Sequence, residues 1–355
     1  MARRPSSTFP VLAPLAKFAV TGTIVAAAIY AARARRRMDF NGKTVLISGA
    51  SRGLGLELAR AFAEEGADLV LLARDEAKLA CAAAELQRHG TNVSTFVCDI
   101  SKQDQVHEVI PKIVGKMQVD VLINNAGMIQ VGPLDNMALS DYENAMGVHF
   151  WGPLYLMEEI IPHMKALGQG RIVNIASIGG KVAVPHLLPY AASKFALVGL
   201  SEGMRAELIK DGIYVTTVCP GLMRTGSHLQ AFFKGQQKKE YALFALANAS
   251  PLLSTAAARA AREIVEACRY GKAQIVITPQ ARLLRFANSL FPTLVAETFG
   301  LVNRLLPRPC EDTGNHLKKG WESGSALAPS LLTRSADRAA ERNNELSTSG
   351  TRANL

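Results

Sequence analysis

Tyr190 and Lys194 stand four residues apart in the stretch "LPYAASKFAL". Residues i and i+4 of a helix share one face, so a phenol and an ammonium can point into one small volume. A nearby ammonium favours the phenolate and lowers a phenol pKa from its usual ~10. Such a pair could exchange a proton near neutral pH. The spacing fits equally a half-buried aromatic above a solvated lysine, and these two residues alone leave both readings open. A second stretch, "SGASRGLG", carries glycines at 49, 53 and 55 in a G-x-x-x-G-x-G turn. Glycine lets the backbone bend tightly and approach a pyrophosphate, and the helix that follows offers N–H donors and its positive dipole end. No pair among Cys81, Cys98, Cys219, Cys268 and Cys310 has metal or redox spacing. No metal site is expected, and the thiols read as reduced, mostly core residues.

The elements around these stretches follow from hydrophobic rhythm. "TVLISG" and "DLVLLA" are short apolar runs that predict strands. "LGLELARAFAEEGA" and "EAKLACAAAELQRHG" repeat apolar residues at helical spacing, the second ending at a glycine. "VSTFVCD", "VDVLINNAG", "GRIVNIAS", "IYVTTVCPG" and "AQIVIT" predict further buried strands separated by helical stretches. Strands alternating with helices indicate a doubly wound α/β fold, a parallel sheet of about seven strands with helices on both faces. Residues 222–250 predict a loop with one short helix, and Ser254 to Tyr270 a helix.

With "NNAG" at Asn124 to Gly127, Ser177 thirteen residues before Tyr190, "YAASK" at Tyr190 to Lys194, and Pro220-Gly221, the chain resembles the short-chain dehydrogenase/reductase family over roughly Phe40 to Thr278. The resemblance implies a Rossmann fold and an NADP- or NAD-dependent oxidoreductase. It implies Tyr190 as general acid/base, Lys194 as the group that lowers its pKa and holds the nicotinamide ribose, and Ser177 as the partner of the substrate oxygen. It implies cofactor contacts from Gly49, Ser51, Arg52, Gly53, Leu54 and Gly55, and from Asp99, Ile100, Asn125, Ala126 and Gly127. Pro220, Gly221 and Thr225 would complete that set beside Tyr190 and Lys194. Asp99 reads equally well as a strand-end turn residue, and Thr225 as a plain loop hydroxyl. Pro185 and His186 precede the catalytic helix and could line a pocket.

Charge at the second strand's end bears on cofactor choice. An NAD site usually places an acid there for the ribose hydroxyls. Here the strand runs into Arg74 and Asp75, and Arg52 lies inside the glycine turn. Two arginines could hold a 2′-phosphate, so NADP(H) is preferred over NAD(H). Asp75 reads as the N-cap of the next helix, with a ribose acceptor as its competing reading.

One departure stands in "GVHFWGPL": His149 occupies a position where family members commonly carry an asparagine that helps hold a relay water. An imidazole can also donate and accept. The expectation is that His149 stays neutral and supports the relay, against simple packing or impaired turnover. A catalytically weak, cofactor-binding scaffold is the alternative function.

The chain has 355 residues, 48% hydrophobic and 20% charged, with a formal net charge of +10. Residues 1–38 hold Arg3, Arg4, Lys17, Arg33, Arg35, Arg36 and Arg37 and no acid. The remainder is nearly balanced, which speaks against a nucleic-acid partner. Phe18 to Ala32 is uncharged but spans only ~22 Å as a helix, against the ~30 Å of a bilayer core. It predicts a marginal N-terminal membrane anchor over 1–38, with the arginine cluster keeping the following domain on the cytoplasmic side. A cleaved leader and an Arg-rich presequence are the rival readings. The domain is expected over 39–279, an amphipathic helix over 280–310, and a disordered polar tail over 311–355. An anchor and an apolar loop suggest a lipophilic substrate: a steroid, retinoid or long-chain oxo-lipid. A homo-oligomer is compatible with this reading.

Overall fold

The computed structural model describes residues 35–346 apart from 89, 326 and 331. The anchor expected over 1–38 therefore lies almost wholly outside the described residues, as does the end of the tail. Among the described residues, no helix is long and apolar enough to cross a membrane.

Seven parallel strands form the central sheet: β1 (Thr44–Ser48), β2 (Asp68–Ala73), β3 (Val93–Val97), β4 (Val121–Asn124), β5 (Gly170–Ile175), β6 (Ile213–Pro220) and β7 (Gln274–Ile277). Their spatial order is β3-β2-β1-β4-β5-β6-β7. Val45 of β1 pairs with Leu69 of β2 on one side and Val121 of β4 on the other. β1, β2 and β4 are buried on both faces because helices cover both. Helices α1 (Gly53–Glu64) and α2 (Glu76–Gln87) pack on one face, and α3 (Gln103–Val114) on the other. After α4 (Leu139–Met146), α5 (Gly152–Ala166) and α6 (Leu188–Leu208) join α3, while α7 (Gln237–Ala249) precedes α8 (Ala257–Arg269), which joins α1. The strand order reverses between β1 and β4. Their carboxyl ends therefore open a crevice, the usual ligand position in such sheets, and the expected doubly wound architecture is present.

Three stretches differ from the sequence reading. Residues 222–250 hold 13-residue α7 rather than a short helix, and two short strand pieces, Leu222–Arg224 and Phe232–Phe233. Tyr241 and Ala245 of α7 are buried against Phe233 and Leu229. The single helix expected over 280–310 is two, α9 (Pro279–Leu290) and α10 (Pro292–Asn303). The break is at Phe291, because the residue before a proline is driven out of helical geometry. Phe291 has φ −133° and ψ 58°.

The tail expected to be disordered is folded against the domain through residue 346. Lys318–Lys319 pairs antiparallel with Phe232–Phe233, and α11 (Arg334–Arg342) buries Ala336, Ala339 and Ala340. Its apolar stripe consists of alanines at i, i+3 and i+4. That stripe is too small to register as a hydrophobic rhythm among the surrounding charges.

Candidate active site

The crevice is a cavity of about 1040 Å³, and every expected cofactor and proton-transfer residue except Gly55 lines it. Gly55 lies beneath its floor. A Cβ there would meet the Gly49 carbonyl oxygen and come within 2.6 Å of the Asn125 amide. Asn125 donates from Nδ2 to the carbonyls of Ser48 and Gly49, both at 3.1 Å. Ser48 Oγ accepts from the N–H groups of Asn125 and Ala126. The asparagine motif thus locks the glycine turn to the end of β4.

Tyr190 and Lys194 lie on the first turns of α6, started by Pro189. A buried polar chain fixes this helix to the sheet. Asn124 Nδ2 donates to Asn174 Oδ1 (2.7 Å), and Asn174 Nδ2 to Ser201 Oγ (3.0 Å). Thr217 Oγ1 bonds Ser201 Oγ at 2.7 Å. These links join β4, β5, β6 and α6, so the reactive helix is held by hydrogen bonds as well as by packing. Asn174, Ser201 and Thr217 carry no signal of this role beyond ordinary strand and helix polarity.

Ser177 follows β5, and its Oγ accepts from the Gly179 N–H at 3.0 Å. It also bonds the Tyr190 hydroxyl. Burial raises the Tyr190 phenol above its ordinary value, and the Ser177 bond opposes that rise. The expected lowering by Lys194 is not what the site shows. Lys194 Nζ donates to the Ile175 carbonyl at 2.7 Å and lies 5.8 Å from the Tyr190 ring centroid. Burial pushes the Lys194 ammonium down to about 7.

That shift has a stability consequence. The folded pKa is depressed below the unfolded one, so the cost of burying the charge is full below about pH 7 and fades as pH rises toward 10.5. Relative to Lys194→Met, the parent is expected to gain stability over that window, by up to about 1.4 kcal/mol per pH unit. Denaturant unfolding of both chains at several pH values checks this; parallel curves would contradict it.

His149 is buried in a π-helical turn, Gly147–Trp151. Burial first, then the Lys194 charge, hold its imidazole well below the ordinary range, which favours the neutral ring. Nε2 accepts from the Met128 N–H at 3.1 Å, which places the proton on Nδ1, 2.8 Å from Ser193 Oγ. Ser193 in turn donates to the Tyr190 carbonyl. Both ring nitrogens are engaged with protein groups, which leaves the ring no donor or acceptor for a relay water. His149 instead braces α6 through Ser193.

At the other end, Asp75 caps α2 by accepting from the Lys78 N–H at 3.0 Å, as its capping reading expects. Arg74 is exposed, with Nη1 3.7 Å from Asp99 Oδ2. Asp99 Oδ1 accepts from the Ser101 backbone and hydroxyl, a strand-end turn that still faces the cavity. Ile100 packs beneath Gly152. Thr225 is buried and accepts from the Ser227 N–H. Pro185 and His186 line the cavity, and His186 Nδ1 pairs with Glu240 at 2.8 Å. Lys78, Gln230 and Glu345 also line it. Sequence reasoning missed all three, because their segments are brought to the crevice only by the fold.

The family model described as short chain dehydrogenase matches residues 43–234. A granaticin polyketide synthase putative ketoacyl reductase from Streptomyces violaceoruber is 38% identical over 183 residues, 51% of this chain and 67% of that protein. Gluconate 5-dehydrogenase from Gluconobacter oxydans is 34% identical over 188 residues, 53% of this chain and 73% of the relative. Among solved structures, L-sorbose reductase from Gluconobacter frateurii, complexed with NADPH and L-sorbose, superposes with a TM-score of 0.61 at 26% identity. That match covers 68% of this chain and 97% of the other. With more than half its length matched by the family model, the chain belongs to the short chain dehydrogenase family.

Proposed function

We propose that the protein is an NADP(H)-dependent oxidoreductase that interconverts a carbonyl and an alcohol on a lipophilic substrate. The observation that carries this reading is one continuous cavity. It joins the glycine turn to Ser177, Tyr190 and Lys194, and its far end is lined by Leu243, Phe244, Leu284, Phe299 and Val302. The cradle under Gly49 and Gly55 has no room for side chains, which suits the close approach of a pyrophosphate. NADPH, when bound, supplies the hydride. Ser177 orients the substrate oxygen, and Tyr190 gives it the phenolic proton. Lys194, fixed by the Ile175 carbonyl, supplies a positive charge beside the ring and can bond the cofactor ribose. His149 positions the helix that carries both. Arg52 and Arg74 at the adenosine end favour a 2′-phosphate, and the NADPH complex of L-sorbose reductase is consistent with that choice. Incubation with NADPH and a panel of apolar ketones and aldehydes tests the reading. NADPH consumption with apolar substrates, and little with polyols, is expected; turnover of sugars alone would overturn the substrate class.

The reading extends to a membrane-associated protein with its catalytic domain over 39–279. Support comes from α9 and α10, whose Leu283, Phe286, Leu290, Phe291, Leu294 and Leu301 are exposed, with Arg282, Arg285 and Arg304 on the same helices or at their end. Such a pair of helices suits the bilayer interface, beside the apolar end of the cavity. The full chain is expected to resist carbonate extraction, and a chain beginning at Asp39 to retain cofactor binding. A full chain released by carbonate would contradict the anchor.

A further inference from the structure

The segment after α11 crosses the cofactor crevice. The Gly53 N–H, the first donor of α1, is taken by the Asn343 carbonyl at 2.9 Å. Asn344 Nδ2 donates to the carbonyls of Ser51 (2.9 Å) and Lys78 (3.2 Å). Lys78 Nζ donates back to the carbonyls of Asn344 (3.1 Å) and Glu345 (3.4 Å). On the opposite wall, Asn343 Nδ2 donates to the Thr225 carbonyl, and Gln230 Nε2 to the Glu345 carbonyl at 2.8 Å. Three residues thus tie the glycine turn and α2 to the loop after β6.

The Glu345 side chain is 3% exposed. Its Oε1 lies 2.7 Å from where a Cβ on Gly53 would stand, so the carboxylate rests directly on the glycine turn. Its Oε2 is 3.5 Å from Arg52 Nε and has no hydrogen bond. A helix N-terminus, an arginine and a buried lysine together make a cradle for an anion. Here the chain's own carboxylate fills it, and fills it poorly. Burying a carboxylate with one incompletely bonded partner is costly. A phosphate carries more charge and three acceptors, and suits the same donors better.

We propose that Asn343–Glu345 is an intramolecular competitor that occupies the phosphate cradle of the crevice and must leave before the cofactor seats. This rests on the reading that NADP(H) binds there. Phosphate and carboxylate cannot both sit on Gly53, and its N–H cannot serve two acceptors at full strength. The apparent affinity for cofactor is then reduced by the fraction of molecules with the segment in place.

Hydrogen exchange of the full-length protein with and without NADPH reads the segment directly. NADPH is expected to speed exchange in residues 343–346 while slowing it in the glycine turn. Fluorescence titration of Glu345→Ala and Glu345→Gln is expected to show NADPH binding about tenfold tighter than in the parent, mainly through faster association. Slower exchange of 343–346 with NADPH would mean that the segment closes over the cofactor, and would overturn the proposal. So would unchanged exchange, or unchanged affinity in folded variants. If neither parent nor variants bind NADPH, the cofactor reading itself fails, and the competitor with it.

Discussion

Tyr190→Phe is expected to lower kcat by about 10³-fold, within the usual range for removing a positioned general acid. The variant keeps the ring, and with it the edge-to-face contact with His149 at 5.4 Å. It deletes only the hydroxyl that bonds Ser177 and would protonate the substrate oxygen. Cofactor affinity should stay within about twofold, because an interaction lost only in the transition state lowers kcat without changing ground-state binding. The high phenol pKa in this structure sharpens the expectation. With burial raising Tyr190 and Lys194 down at about 7, a protonated acid is the resting form at neutral pH. Reduction of a carbonyl should therefore hold its rate as pH falls below neutrality, whereas oxidation of an alcohol, which needs the phenolate, should rise with pH. Steady-state kinetics of both chains in both directions check this; a kcat within tenfold of the parent would contradict the assignment.

Arg74→Asp is expected to remove or invert a preference for NADPH over NADH that is at least about tenfold in the parent, or about 1.4 kcal/mol. Arg74 stands just past β2, exposed and 3.7 Å from Asp99, so it is free to turn toward a 2′-phosphate. Asp75, at the rim of the cavity, uses its Oδ1 to cap α2. A carboxylate at position 74 would repel the phosphate and accept from the ribose hydroxyls instead. Fluorescence titration of both cofactors decides it. Equal affinities in the parent would show that the two arginines do not select the phosphate.

The sheet and the reactive helix were legible because their signals are local. Short apolar runs mark β1 and β2, and the Tyr190–Lys194 spacing needs only helical geometry. Asp75 as a cap was legible for the same reason: a cap is read from its own helix. What was hidden depends on distance in sequence. The brace through Asn174, Ser201 and Thr217 joins residues up to 43 positions apart, and each is an unremarked polar residue in its own element. His149 could be recognised as a departure, but not that the Met128 N–H and Ser193 occupy both its nitrogens. Glu345 is the extreme case. It reaches the glycine turn at the end of α11, which docks by a stripe of three alanines, and alanines among arginines and glutamates give a sequence no visible apolar face.

Transfer of label from NADPH deuterated at the transferable position, followed by mass spectrometry of the alcohol formed from an apolar ketone, tests the central claim most directly. One deuterium on the carbinol carbon is expected with the parent chain, and none above background with Tyr190→Phe. NADPH that binds tightly yet passes no label to any carbonyl offered would contradict the claim, and would make the protein a cofactor-binding scaffold.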